Sequence, residues 1–280
     1  MDVFSADWLG ICRRVAAAQR AIFAEVQGIE ARTVYEGMGE GGDRALVIDR
    51  RCEEAVFVEL ERLAADGASF VAVSEERGEV VFGSGGPVRV VIDPIDGSLN
   101  ARRTLPSHSL SIAVASGPSM ADVEFGYVYD FGAREEFAAR LGAGATLLAA
   151  EGKPGEETIR VAPPDGSVLE VLGVESAEPE WAMPALEALV GSVYRLRVVG
   201  SIAISVAYVG CGRFDGMLSL RPCRSVDAAA AQLIVREAGG QVAFGDLALE
   251  DASLNLDARY PIATAADDRA MATIRAAQQA

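Results

Sequence analysis

The segment Val90-Val91-Ile92-Asp93-Pro94-Ile95-Asp96-Gly97-Ser98 is an apolar run that stops at two carboxylates three residues apart. Pro94 stiffens the backbone between them, so both side chains are expected to face one point, and converging anionic oxygens are what a hard divalent cation takes. Gly97 lets the backbone approach a ligand closely. The amides of Gly97, Ser98 and Leu99 are expected to open a short helix whose N-terminus receives a phosphate oxygen. Asp-Pro and Asp-Gly are also ordinary turn dipeptides, so the segment gains weight from two others. Glu75-Glu76 follows an apolar strand, and Asp227 precedes Ala228 to Ala238, where it reads as a helix N-cap. Three distant segments thus end apolar elements in carboxylates.

The elements that must position these groups are legible in the hydrophobic periodicity. Trp8, Leu9, Cys12, Val15, Ala16, Ile22 and Phe23 repeat at helical spacing within 5–29, and Cys52, Ala55, Val56, Val58, Leu60 and Leu63 predict a second helix. Glycine-rich Gly37 to Asp43 separates the two. Short β-branched runs predict strands at 70–73, 80–82, 88–92, 110–115, 123–129, 136–140, 168–174, 195–199, 216–220 and 241–244. Further helices are expected at 179–191, 201–211, 227–238 and 267–278. Strands and helices interleave throughout, which gives an α/β or α+β class. Gly152-Lys153-Pro154-Gly155 and Pro163-Pro164-Asp165-Gly166 mark a seam, with an N-terminal α+β lobe over 1–155 carrying Glu75 and the Asp93–Ser98 segment, and a C-terminal α/β lobe over 156–280 carrying Asp227.

A chain of 280 residues, half of them hydrophobic, is long enough for a large core. No run approaches the roughly 18 apolar residues of a membrane helix, and charges punctuate the first twenty positions, so a soluble, unprocessed, cytoplasmic protein is expected. The formal charge of −16 repels nucleic acid and anionic membrane. Lys153 is the only lysine, which excludes Walker-type phosphate loops and leaves anion contacts to arginine, backbone amides or metal. Cys12, Cys52, Cys211 and Cys223 form no CxxC pair and read as buried thiols. His108, the sole histidine, reads as structural or solvent-facing. The pairs Glu53-Glu54 and Glu135-Glu136 read as solvated faces, and Asp215 suits either a turn or a substrate contact.

DPIDGS at 93–98, SEE at 74–76 and VDAAAAQLIVREAGG at 226–240 resemble, in order and spacing, the three signatures of the inositol monophosphatase and fructose-1,6-bisphosphatase superfamily. Arg197-Val-Val-Gly200-Ser201, Gly212-Arg-Phe-Asp215 and Gly142-Ala-Gly144-Ala145 extend the likeness across residues 35–245. Asn100-Ala101, AYVGCGRFDG at 207–216 and Val226 are most similar to the archaeal-type bifunctional branch. Inositol-specific members usually carry an acidic residue at about the position of Ser219.

The resemblance implies a layered αβαβα sandwich of two sheets with the metal cleft between lobes, a homodimer, and a small phosphorylated sugar or polyol as substrate. It implies that Glu75, Asp93 and the carbonyl of Ile95 hold one Mg2+, and that Asp93, Asp96 and Asp227 hold a second, with a third where Asp49 contributes. Ser98, Asp49 and Glu75 would orient the attacking water. Gly97, Ser98, Arg197, Ile202 and Arg221 would contact substrate, with Arg102 and Arg103 as alternative arginines. Inositol monophosphate and fructose 1,6-bisphosphate are the expected esters. Nucleotide 3′-phosphate or histidinol phosphate are enzymatic alternatives, and a non-catalytic metabolite-binding regulator is the alternative from another class.

Overall fold

The computed structural model describes residues 1–35, 46–149 and 155–280. The glycine-rich stretch 37–43 and most of the expected seam at 152–155, Lys153 included, lie outside the described residues. The helices are α1 (Trp8–Glu25), α2 (Ile29–Arg32), α3 (Val47–Ala65), α4 (Ser98–Arg102), α5 (Pro179–Ala188), α6 (Ile202–Gly210), α7 (Ser225–Glu237) and α8 (Asp268–Gln278). The strands are β1 (Phe70–Ser74), β2 (Gly78–Phe82), β3 (Arg89–Asp96), β4 (Ser109–Ala115), β5 (Val123–Asp130), β6 (Glu135–Arg140), β7 (Gly144–Leu148), β8 (Glu156–Ile159), β9 (Leu169–Glu175), β10 (Val193–Arg197), β11 (Gly216–Ser219), β12 (Cys223–Arg224), β13 (Gln241–Phe244), β14 (Arg259–Tyr260) and β15 (Ile262–Ala265).

Two sheets organise the chain. The first has eight strands in the order β2-β1-β3-β4-β5-β6-β7-β8, and the second has five in the order β10-β9-β11-β15-β13. Alternation along the strands explains the layering. In β3, Val90 and Ile92 pack with Trp8, Val15, Phe57 and Leu60 of α1 and α3, whereas Val91 packs with Val206 of α6 and Ala229, Ala230 and Leu233 of α7. With helices on both faces, strands such as β4 are buried at every position of the pleat rather than every second one. Beyond α6 and α7 lies the second sheet, whose outer face buries Leu172 and Leu218 against Ile274 of α8. The expected αβαβα sandwich is therefore the architecture, with α6 and α7 as its shared middle layer.

Three expectations change. β8 completes the first sheet, so residues just past 155 still belong to the N-terminal sheet. Strands β7, β8, β12, β14 and β15 have no counterpart in the periodicity, although β15 sits inside the second sheet between β11 and β13; four residues after Pro261 are too short a signal. Glu53, Glu135 and Glu136 are buried rather than solvated. Glu135 receives two bonds from Arg213, Glu136 receives Arg13 and the Tyr127 hydroxyl, and Glu53 receives Ser74 Oγ and the Arg77 amide, so each is affordable inside because a donor meets it.

His108 is buried, stacked on Phe131 with its Nδ1 3.1 Å from the Leu105 carbonyl oxygen, and Asp215, instead of making a local turn, accepts the amides of Glu170 and Val171 in β9. Cys12, Cys52 and Cys223 are buried and Cys211 half-buried, all as free thiols. No helix among the described residues is long and apolar enough to cross a membrane.

The alanine run of α7 lets it lie close on the first sheet, and Gly126 of β5 faces it: a Cβ there would press into the Ala230 carbonyl. Backbone cannot rotate away as a side chain can. Gly126→Val is expected to destabilise the fold by about 1–3 kcal/mol, read as a lower urea midpoint at unchanged m value.

Candidate active site

The strand β3 carries the first two carboxylates, and its pairing with β4 slips between them: Asp93 lies opposite Ser111, but Asp96 lies opposite Ser109. Three steps along β3 thus match two along β4, a bulge at Pro94-Ile95 that suits a residue with no N–H to donate. The Asp93 carboxylate accepts the Ile95 amide at 2.9 Å. Asp93 and Asp96 are 2% and 6% exposed, which makes their charge costly.

Asp96 is met by the start of α6. Its oxygens accept the Ala203 amide at 2.7 Å, the Ile202 amide at 3.3 Å and the Ser201 hydroxyl, with the Ser109 hydroxyl at 3.4 Å. A carboxylate at a helix N-terminus is favoured by the unsatisfied amides and the helix dipole. Gly97, next in sequence, takes a left-handed φ of 88°, and a Cβ there would stand 2.8 Å from the Gly200 carbonyl and 3.0 Å from that of Ser107. Only glycine lets β3 turn into α4 so close to the 199–201 segment.

Asp227 lies in the first turn of α7, at its third residue rather than at the cap, and accepts the Arg224 amide at 3.0 Å. Glu75 leaves the end of β1 and bonds the Arg224 guanidinium. Asp49 occupies the first turn of α3 instead of preceding it. Together with Tyr35, Leu46, Glu76, Pro94, Ile95, Ser98, Leu99 and Arg102, Asp49 and Glu75 line a cleft of about 250 Å³.

The electrostatics show how closely these groups gather. Burial holds Asp93 well above the usual carboxylate range, and the charges of Glu75, Asp96 and Asp227 add to it. Asp227 is likewise raised by burial, Asp96 and Glu75, against the pull of Arg224. Burial pushes Asp96 up to about 6 despite its four donors, and burial with Glu75 pushes Asp49 up to about 7. Glu76 also rises to about 7, from burial and then Asp49. The Oδ1 of Asp49 and the Oε2 of Glu76 are buried with no hydrogen-bond partner.

Orphaned buried oxygens are rare, and mutually repelling carboxylates are what a divalent cation relieves. The donors are all oxygen, the preference of magnesium. The residues therefore fit such an ion by chemistry, although among the described residues no three acidic, histidine or cysteine side chains stand in ligating geometry.

The remaining substrate candidates divide. Ser98 lines the cleft and Ile202 meets Asp96, whereas Arg197 is exposed with Nη1 on the Leu196 carbonyl. Arg221 bonds Glu178 and lies over Trp181. Neither arginine lines the cleft; Arg102 does, donating to the Tyr35 hydroxyl at 2.6 Å.

Two residues escape the sequence. Arg224 is the internal cation among the carboxylates. Glu175 is buried at the end of β9, where it accepts the amides of Val199 and Gly200 and the Ser205 hydroxyl, fixing the segment that leads into α6. Its signal was available: like Asp93, it is an acidic residue closing an apolar strand.

A sequence profile of the Inositol monophosphatase family matches residues 10–280. A Methanothermobacter thermautotrophicus protein named fructose-1,6-bisphosphatase/inositol-1-monophosphatase is 30% identical over 269 residues, 92% of this chain and 91% of that one. A Haemophilus influenzae protein named Nus factor SuhB is 32% identical over 236 residues, 81% and 82% of the two chains. The crystal structure of an inositol monophosphatase-fructose 1,6 bisphosphatase gene product superposes with a TM-score of 0.81 at 24% identity, over 97% of this chain and 100% of that one. For the Thermotoga maritima IMPase the TM-score is 0.74 at 24% identity, over 97% and 95%. At such identities the structural likeness shows the fold alone.

The raised carboxylates set the pH dependence of the cation-free protein. Each folded-state pKa lies above the ordinary value of about 4, so the folded protein holds protons more tightly than the unfolded chain, and stability falls as pH rises from about 4 through about 7. In EDTA the unfolding temperature is expected to drop between about pH 5 and about pH 7.5. Asp93→Asn removes one repelling charge and should raise the value at the upper pH by about 2–4 °C, with a shallower pH slope in differential scanning calorimetry.

Proposed function

Because the chain belongs to the inositol monophosphatase family, we propose that the carboxylate cleft is the active site of a magnesium-dependent phosphatase acting on a small sugar or polyol phosphate monoester. The chain is a phosphatase of the inositol monophosphatase and fructose bisphosphatase type. The observation that carries the site assignment is the repulsion that Glu75, Asp96 and Asp227 exert on buried Asp93, side chains brought together from three segments of the chain, the end of β1, β3 and the start of α7.

In this proposal Glu75, Asp93 and the Ile95 carbonyl hold one ion, and Asp93, Asp96 and Asp227 hold another. Bound magnesium supplies positive charge for the ester phosphate and lowers the pKa of water. The chain supplies position and proton handling. Asp49, whose Oδ1 faces no donor, accepts a proton from the attacking water, and Ser98 and Glu75 orient that water. Gly97 and Ser98 bring backbone amides to the phosphate, and Ile202 closes the substrate side near Asp96. Arg102 offers a planar guanidinium for a second phosphate or a sugar hydroxyl.

Two features bear on the substrate. Curated relatives carry both fructose-1,6-bisphosphatase and inositol-1-monophosphatase in their names. Ser219, where inositol-specific members would place an acid, is buried with its hydroxyl accepting the Ile262 amide, so the ring-hydroxyl contact has no counterpart there. We favour an enzyme that accepts both esters over one restricted to inositol. A homodimer is part of the same proposal: Trp181 and Met183 of α5, Val190 between α5 and β10, Tyr194 of the edge strand β10 and Val198 just past it are exposed, apolar side chains that a second copy would cover.

Purified protein is expected to release phosphate from inositol 1-phosphate and fructose 1,6-bisphosphate with magnesium, and to stop with EDTA. Asp93→Asn and Asp227→Asn should each lower kcat by at least about 100-fold, and light scattering should give the mass of two chains. Full activity in either variant would overturn the ligand assignment. Binding without turnover at saturating magnesium would instead favour a regulator, and turnover confined to nucleotide 3′-phosphate or histidinol phosphate would move the substrate class.

A further inference from the structure

We propose that Glu175 is a positioning residue of the phosphatase: its buried carboxylate fixes the turn that opens α6, and through that turn it decides which oxygen of Asp96 the chain leaves for a cation. The role rests on the function proposed above for the carboxylate cleft. Glu175 closes β9 on the same side of the sheet as Val171 and Gly173, which pack toward the middle layer, and it is 1% exposed. It does not line the cleft, and no proton passes through it. A carboxylate is nevertheless kept where an apolar side chain would be cheaper to bury.

Three donors account for it. Oε1 accepts the Val199 amide at 3.0 Å and the Ser205 hydroxyl, and Oε2 accepts the Gly200 amide at 2.9 Å. Consecutive amides aimed at two separate oxygens need a side chain that accepts on both, which an ionised carboxylate does; glutamine would turn an N–H donor toward one of them. The turn is also held from its other side. Gly200 has a left-handed φ of 81°, and a Cβ on it would stand 2.6 Å from Asn100 Nδ2. That same nitrogen donates to the Val199 carbonyl at 2.8 Å and to the Ser107 carbonyl at 2.7 Å. Residues 199 and 200 are thus gripped by Glu175 through their amides and by Asn100 through a carbonyl.

What the turn delivers to Asp96 is unequal. The Ser201 hydroxyl, the Ala203 amide and the Ser109 hydroxyl all address Oδ2, whereas Oδ1 meets the Ile202 amide at a long 3.3 Å. The chain saturates one oxygen and leaves acceptor capacity on the other. A turn that shifted would loosen Oδ2, let the carboxylate rotate and misplace the oxygen offered to a cation. Such outer partners commonly matter about 10–100-fold to the affinity or activity of a metal site.

The test reads magnesium affinity as well as turnover, on the full chain. Isothermal titration of the EDTA-stripped protein with magnesium chloride should give a dissociation constant about 10-fold higher for Glu175→Gln than for the unsubstituted chain, and kcat for phosphate release from inositol 1-phosphate or fructose 1,6-bisphosphate at saturating magnesium should fall about 10–100-fold. Ser205→Ala keeps the charge of Glu175 and deletes one donor, so a change of at least about 2-fold in the same direction in both quantities separates position from charge. It also serves as the independent variant if Glu175→Gln does not fold by circular dichroism. Ile274→Val, which thins the core on the far face of the same sheet, should lower the unfolding temperature and leave both quantities unchanged. Both quantities unchanged in Glu175→Gln, or unchanged in Ser205→Ala whatever Glu175→Gln does, would overturn the role and leave the phosphatase standing. An unsubstituted chain with neither magnesium binding nor turnover would overturn the phosphatase and the role with it.

Discussion

Like charges confined together in a dry place constrain the whole molecule. Buried Asp93 and Asp96 share one patch with half-buried Glu75 and Asp227, and the proton affinities of Asp93 and Asp227 are raised by burial and by the neighbouring charges. Isolated burial of a single ionised carboxylate already costs several kcal/mol, so a fold that assembles four must hold them by force of its packing. Water-filled loops could not; the groups would swing apart. The middle layer of the sandwich supplies the restraint, because α6 and α7 are pinned between two sheets and their first turns carry the partners of Asp96 and Asp227.

The restraints are specific. A bulge in β3 sets the spacing of Asp93 and Asp96, and the start of α6 clamps Asp96 through two amides and Ser201. Buried Glu175 ties the 199–200 amides to the end of β9, so the clamp is itself clamped. Glu53 does the same for the β1–β2 turn that carries Glu75 and Glu76. Arg224 then provides internal positive charge to Glu75 while its backbone amide meets Asp227. Each of these groups is distant from the others in sequence, and each acts on a carboxylate or on the turn that presents it.

Much of this was legible in the chain. The apolar run of β3 ending in Asp93 and Asp96, the helix that opens with Asp227, and the acid after β1 are all signals of residue type at an element boundary. The layered fold was legible through the family resemblance rather than through periodicity, since strands covered on both faces lose the alternation that marks a strand. Where reading failed, tertiary context decided. β15 is four residues of ordinary composition that become a strand because β11 and β13 flank it. Glu135 and Glu136 look solvated until Arg213 and Arg13 arrive from 78 and 123 positions away. The side chains of Arg197 and Arg221 lie on Leu196 and on Glu178, while Arg102, at the end of α4 and five residues past Gly97, lines the cleft.

Convergence of the acidic side chains on a shared cation is the central claim, and anomalous diffraction from crystals soaked in manganese, an oxygen-seeking stand-in for magnesium, tests it most directly. Peaks are expected in contact with Asp93, with Glu75 on one side and Asp96 and Asp227 on the other, at oxygen distances near 2 Å. Manganese bound only at surface acids, with the Asp93 and Asp227 carboxylates remaining without a shared ion at saturating concentration, would contradict it.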